Sequence, residues 1–246
     1  MPMPRVKPES YSYLCDNLLK LLYSLRFSEL DITMGNPNDG EKRNPEIRIP
    51  RQQRSRDRVE SILEAARVLI GENGSAGLKI QDIAKRARVS AGSMYQYFPN
   101  KSAILQALAK QYFEQFHLLL QDSLAEKPQD LESGIEAMHS LFDKFFEVNR
   151  KDPVLRDIWL SISSDKTMRD IDLQTSDRNA TLLFDTLKHL FAEEQWPGLK
   201  RYFLMIVHIT PPAIRLALSA EGDESTEYIR ITKRLITTSM RDLSVD

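Results

Sequence analysis

The residues best suited to chemistry lie between positions 79 and 101. Ala91, Gly92 and Ser93 are small, Tyr95 and Tyr97 are aromatic with a hydroxyl, Gln96 sits between them, and Lys79 and Lys101 flank the run. Small side chains at the start of a helix allow close approach to base edges, aromatic residues anchor that helix, and cations near helix starts hold phosphates. Gln96 is the candidate for reading a base, because its amide can pair bidentately with adenine, and Ser93 is placed to share that task. Arg54 and Arg56, just ahead, are candidates for a phosphate contact or a basic arm in a minor groove. Each single cation or tyrosine also has an ordinary structural reading, as a solvated charge or a packed ring. It is their clustering that points to a polyanion.

Charge supports the same reading. The formal net charge of the chain is -1, yet residues 51–101 carry ten Lys and Arg against five Asp and Glu, a net of +5, which leaves -6 for residues 102–246. A basic module joined to an acidic body suits a nucleic-acid partner for the module. Enzymatic chemistry finds no comparable support. His117, His139, His189 and His208 show neither H-x-x-x-H nor H-E-x-x-H spacing, and the glycines between 71 and 77 form no phosphate loop. Cys15 is the single cysteine, so no intrachain disulfide and no cysteine-based zinc cage can form, which suits a reducing cytoplasm. No cofactor or metal is expected. The apolar stretch 18–25 falls short of a bilayer span and lacks the features of a signal peptide, so no membrane anchoring is expected.

The elements that position these residues read as helices throughout. Val59, Ile62, Leu63, Ala66, Leu69 and Ile70 follow helical spacing, with Gly71, Gly74 and Gly77 expected to end that helix. A short helix is expected over 80–87, burying Ile83 and Ala84, and another from an N-cap at Ser90 to Tyr97, stopped by Pro99 with Phe98 in the core. Asn100 caps a long helix whose stripe Ile104, Leu108, Tyr112, Phe116, Leu119 and Leu120 joins the two domains. Further helices are expected over 131–149, 153–161, 166–191, 197–220 and 224–241, with no period-two strand pattern. Residues 9–30 carry leucines at helical spacing, and 35–50, rich in proline and charge, read as a flexible linker; the chain could equally start at Met34.

Two short helices across a tight turn, the second capped by serine, match a helix-turn-helix. The run Val89-Ser90-Ala91-Gly92-Ser93-Met94-Tyr95-Gln96-Tyr97-Phe98-Pro99-Asn100-Lys101, preceded by Ile83-Ala84-Lys85-Arg86-Ala87, closely resembles the tetracycline-repressor (TetR) family over residues 55–105. The resemblance implies that Ser90, Ser93, Tyr95, Tyr97 and Lys101 contact the DNA backbone, with Gly92 permitting close approach. Two departures stand out. Arg88 occupies a turn position where the family usually has glycine, so a non-glycine residue is expected at positive φ at a cost of about 1 kcal/mol. Leu78-Lys79-Ile80 stands where the family often has threonine or serine, with Lys79 as a point-charge substitute.

In the body, Met138, Phe142, Phe145, Phe146, Trp159, Phe184 and Phe203 are candidates for an apolar effector pocket, although such stripes also build cores. His208 and Arg215 lie in an otherwise apolar helix, where a buried cation attracts an acidic ligand or pairs with a neighbouring carboxylate. Pro211 and Pro212 are expected to break or kink that helix. Residues 202–207 are apolar on all sides, which calls for a contact between subunits with the last helix, a homodimer as the resemblance also implies. The expected architecture is all-α: an extension and linker over 1–50, a three-helix helix-turn-helix DNA-binding domain over 51–101, and a helical effector-binding and dimerisation domain over 102–246. The expected function is a ligand-responsive regulator, a repressor that binds a near-palindromic double-stranded operator as a dimer and is released by a small-molecule effector. A small-molecule enzyme and an interaction protein without DNA binding are the alternatives.

Overall fold

Apolar residues that recur every third or fourth position need a shared interior, and among the described residues nine α-helices and no strand provide it. The computed structural model describes residues 51–162 and 165–244, so the helix expected at 9–30 and the linker at 35–50 lie outside the described residues. The helices are α1 (Arg51–Gly77), α2 (Ile80–Arg86), α3 (Ala91–Tyr97), α4 (Lys101–Ser123), α5 (Leu131–Lys151), α6 (Pro153–Ile162), α7 (Lys166–Leu187), α8 (Trp196–Ser219) and α9 (Asp223–Asp242). By density of contacts the chain divides into two compact units, Met1–Ser61 and Ile62–Asp246. The described part of the first unit is the beginning of α1. The second holds the helix-turn-helix and the body together.

Three glycines near the end of α1 were equivalent in sequence, and only Gly74 breaks the helix. Its φ of 72° and ψ of 162° belong to a region that side chains bearing a Cβ essentially never enter. Gly71 stays helical, because nothing forces its φ positive. The break turns the Ser75 N–H toward the Asp157 carboxylate of α6, and the Ser75 and Ser161 hydroxyls lie 3.0 Å apart. Further up α1, Arg67 donates to the side chain of Gln111 and stacks over the Tyr112 ring, whose hydroxyl donates to Asp152 at 2.7 Å. These contacts tie residues 62–77 of α1 to α4 and α6.

The long helix α4 begins as expected at an Asn100 cap, which accepts the Ala103 N–H at 2.9 Å. Ile104, Leu108 and Tyr112 are buried along its stripe. Asp165 caps α7, and its carboxylate also accepts hydrogen bonds from Ser102 and Gln106 of α4; the Ser102 hydroxyl first, then the Met168 N–H, holds it below the usual carboxylate range. The helix expected over 166–191 ends earlier, at Leu187, and two 3-10 turns, Lys188–Leu190 and Glu193–Gln195, reverse the chain into α8. Helix α8 then continues through Pro211 and Pro212. Neither proline has an N–H, so the Val207 and His208 carbonyls lose their usual partners four residues on.

The main core joins α5, α7, α8 and α9 around Leu187, Leu199, Phe203, Ile214 and Met240. Gly134 sets how closely α5 approaches: a Cβ there would lie 2.7 Å from Leu190 Cδ1 and 3.7 Å from Met240 Cε.

Candidate nucleic-acid interface

Helix α2 ends in a turn whose hydrogen bonds define a Schellman motif: the Val89 N–H reaches the Ala84 carbonyl at 2.9 Å, and the Arg88 N–H reaches that of Lys85 at 3.3 Å. The motif requires a left-handed residue between them, and Arg88 has a φ of 55°, as its place in the turn led us to expect. An L-residue there costs of order 1 kcal/mol. Arg88→Gly should therefore raise the melting temperature by about 2 °C after allowing for glycine's greater freedom when unfolded, whereas Arg88→Val should lower it, as measured by scanning calorimetry.

Ser90 begins α3, its hydroxyl accepting the Ser93 N–H at 3.1 Å and donating to Ser93 Oγ at 2.9 Å. One side of α3 is pinned by Met94, fully buried, with Phe98 closing the core beyond it. The other side is open. Tyr95 is 54% exposed, Ala91, Gly92 and Gln96 are exposed, and Ser93 and Tyr97 are half-buried. A Cβ at Gly92 would meet nothing within 4 Å, so the protein's own packing does not demand glycine there. Lys79 is exposed at the start of α2 and makes no cap with its side chain. Arg54 and Arg56 are exposed on α1.

Lys101 has a second task that sequence reasoning missed. Its ammonium donates to the Ser75 and Ala76 carbonyls at 3.1 and 3.2 Å, satisfying the end of α1 beyond the Gly74 break. A cation at a helix C-terminus also complements the helix dipole. Two of its three N–H donors are thus engaged, and one is left for a phosphate.

The helical body holds a half-open cavity of about 290 Å³. Met138, Phe142, Trp159, His208 and Arg215, all candidates from the sequence, line it together with Phe145. Phe184 does not: its ring packs edge-on against Trp196 with centroids 6.0 Å apart, under the Lys188 ammonium, outside the cavity. Phe146 and Phe203 likewise belong to the core cluster. The cavity's aromatic wall is completed by Phe113 and Phe116 of α4, with Phe113 5.2 Å from Trp159 and Phe116 edge-on to Phe145 at 4.4 Å. The lining also includes a polar stripe on α7, Asp172, Thr175, Ser176 and Asn179. The spacing of these four at i, i+3, i+4 and i+7 was the signal that could have revealed it. Burial pushes the Asp172 carboxyl up, and the neighbouring His208 offsets this only in part. Among the described residues Trp159 Nε1 is buried without an acceptor.

Comparison with known proteins matches both ends of this arrangement. A model of bacterial regulatory proteins of the tetR family matches residues 62–108, and one of tetracyclin repressor-like C-terminal domains matches residues 132–242. The chain is similar to the Transposon Tn10 TetC protein of Escherichia coli, with 29% identity over 96 residues, 39% of this chain and 46% of that protein. It is also similar to the HTH-type transcriptional regulator EthR of Mycobacterium tuberculosis, with 33% identity over 100 residues, 38% of this chain and 46% of that protein. The chain thus spans about half the length of the curated relatives it matches. Among solved structures, a TetR-family transcriptional regulator from Streptomyces coelicolor superposes with a TM-score of 0.57 at 25% identity, covering 78% of this chain and 99% of that one. With one model on the helix-turn-helix, another on the helical body and the same fold across both, the chain belongs to the tetracycline-repressor (TetR) family of bacterial regulatory proteins.

Proposed function

We propose that this chain is a ligand-responsive transcriptional repressor that binds a near-palindromic double-stranded operator as a homodimer in the cytoplasm and is released by a small molecule. The observation that carries the reading is the outward face of α3, where Tyr95 and Gln96 are exposed and Ser93 half-buried, on a head with a net charge of +5 over residues 51–101. In this reading Lys79, Ser90, Ser93, Tyr95, Tyr97 and Lys101 hold phosphates, Gly92 lets the backbone approach, Gln96 reads a base edge, and Arg54 and Arg56 reach along the duplex.

Release follows from shared elements. Helix α4 starts at Lys101, which grips the end of α1, and carries Phe113 and Phe116 in the cavity wall. Helix α6 carries Trp159 in the same wall and binds Ser75 through Asp157 and Ser161. An effector that fits better when these rings move will favour a second position of the head, and so a different spacing of the two α3 helices.

The dimer reading rests on Met205, Ile209 and Leu216 of α8 and Ile231 and Leu235 of α9, all exposed. Residues 193–219 have the length and hydropathy of a membrane span, with a third of the most apolar stretch buried. Arg215 on that segment lines the cavity, so we assign its exposed apolar side to a second copy of the chain rather than to lipid.

A gel-shift titration against DNA from upstream of the coding sequence tests the function. With three cations in each head neutralising phosphates, six in the dimer, affinity should fall about 10³-fold between about 50 and 200 mM salt. Binding that ignores salt, or no binding to any palindrome in a genomic selection, would refute the proposal.

A further inference from the structure

The cavity's walls differ in a way that bears on what fills it. Phe113, Phe116, Phe145 and Trp159 form one wall, with ring centroids 4.4 to 6.4 Å apart between neighbours. Flat rings with their edges and faces already interlocked offer an aromatic ligand both stacking and edge-on contact. At about 290 Å³ the space lies at the low end of small-molecule sites, which run from roughly 300 to 1,000 Å³. One or two fused rings suit it better than a long chain.

The other wall mixes donors and acceptors. Arg215 has no hydrogen-bond or ion-pair partner among the described residues, and His208 faces Asp172. Against these donors stands the Asp172 carboxyl, with Thr175, Ser176 and Asn179 following it along α7. A ligand carboxylate would meet Arg215 but also Asp172. A ligand ammonium would meet Asp172 and the rings but also Arg215 and His208. A hydroxyl satisfies both kinds of partner, because it donates one hydrogen bond and accepts two.

From this balance we infer that the cavity takes a neutral, planar aromatic molecule bearing a hydroxyl group, with its rings against Phe113, Phe116, Phe145 and Trp159 and the hydroxyl toward Asp172, His208 and Arg215. The inference rests on the cavity being the effector site proposed above.

Three probes with one ring system separate the classes: 2-naphthol, 2-naphthoate and 2-naphthylmethylammonium, each titrated into the full chain by calorimetry. We expect 2-naphthol to bind at least tenfold more tightly than either charged analogue, and Asp172→Ala, checked for native helicity, to weaken it about tenfold. Phe116→Leu, which keeps an apolar side chain, should weaken all three alike. Tighter binding of either charged probe, binding of none, or indifference of 2-naphthol to Asp172→Ala overturns the inference. The same probes added to a gel shift keep the two proposals distinct. Release of DNA by a charged probe alone upholds the regulator and removes the neutral class, whereas tight 2-naphthol binding without release upholds the class and removes the regulatory role.

Discussion

Replacing Tyr95 and Gln96 together with alanine should lower operator affinity about 10³-fold while leaving the melting temperature within about 2 °C of the parent. Tyr95 is 54% exposed and has no hydrogen-bond partner among the described residues, and Gln96 is exposed beside it. Truncations at such surface positions change stability by no more than about 0.5 kcal/mol. In the complex the same side chains are assigned a phosphate contact, worth about 1.5–3 kcal/mol, and a bidentate base contact, worth about 1–3 kcal/mol. Even the low end of that range, lost in both heads of a dimer, exceeds 4 kcal/mol, and each 1.4 kcal/mol is a factor of ten. Because neither residue is cationic, the salt slope should hardly change, which separates this variant from a general loss of charge. Fluorescence anisotropy with a labelled operator measures both quantities. An unchanged affinity would mean that α3 does not read DNA.

The second large effect is expected at the far end of the molecule. Single exposed leucines are ordinary, but Met205, Ile209 and Leu216 follow one another along α8 at intervals of four and seven, and Ile231 and Leu235 lie four apart on α9. On two neighbouring helices these are exposed apolar side chains at helical spacing, which we assign to the interface between two copies. Met205→Glu combined with Leu235→Glu would place unpaired carboxylates in that interface, at a cost of several kcal/mol for each subunit. At micromolar concentration the variant should sediment as a monomer with its helical circular dichroism intact, because both side chains are already about half exposed in the single chain. A monomer presents one head to one half-site, so operator affinity should also fall by at least 10³-fold. A variant that remains dimeric would place the interface elsewhere.

Local chemistry was legible in the sequence wherever one residue type has one dominant use. Ser90 and Asn100 cap the helices that follow them, Pro153 sits at the first position of α6, and Arg88 adopts the left-handed conformation its turn requires. The outward face of α3 was expected from its small and polar residues, with Phe98 in the core, and the structure adds Met94 to the inward face. What was not legible depends on partners distant in the chain. Gly71, Gly74 and Gly77 are alike in sequence, and what distinguishes Gly74 is its neighbour Ser75, whose N–H meets Asp157 of α6 and whose hydroxyl meets that of Ser161. Phe184 and Phe116 both sit on apolar stripes, yet one packs on Trp196 and the other lines the cavity. The Lys101 ammonium was read for phosphate alone because its carbonyl partners lie more than twenty residues away.

The break at Gly74 has a consequence for anyone building chimeric regulators from this molecule. A DNA-reading module excised at a loop, for instance ahead of Lys101, would leave behind both groups that finish α1: the Lys101 ammonium and the carboxylate of Asp157. Transplanted onto a foreign sensor, its first helix would end in bare carbonyls and an uncapped amide, and its tilt would be set by whatever the new host happened to offer. A workable junction therefore falls within α4, past Gln111, with Asp157 and Ser161 grafted into the host's facing helix.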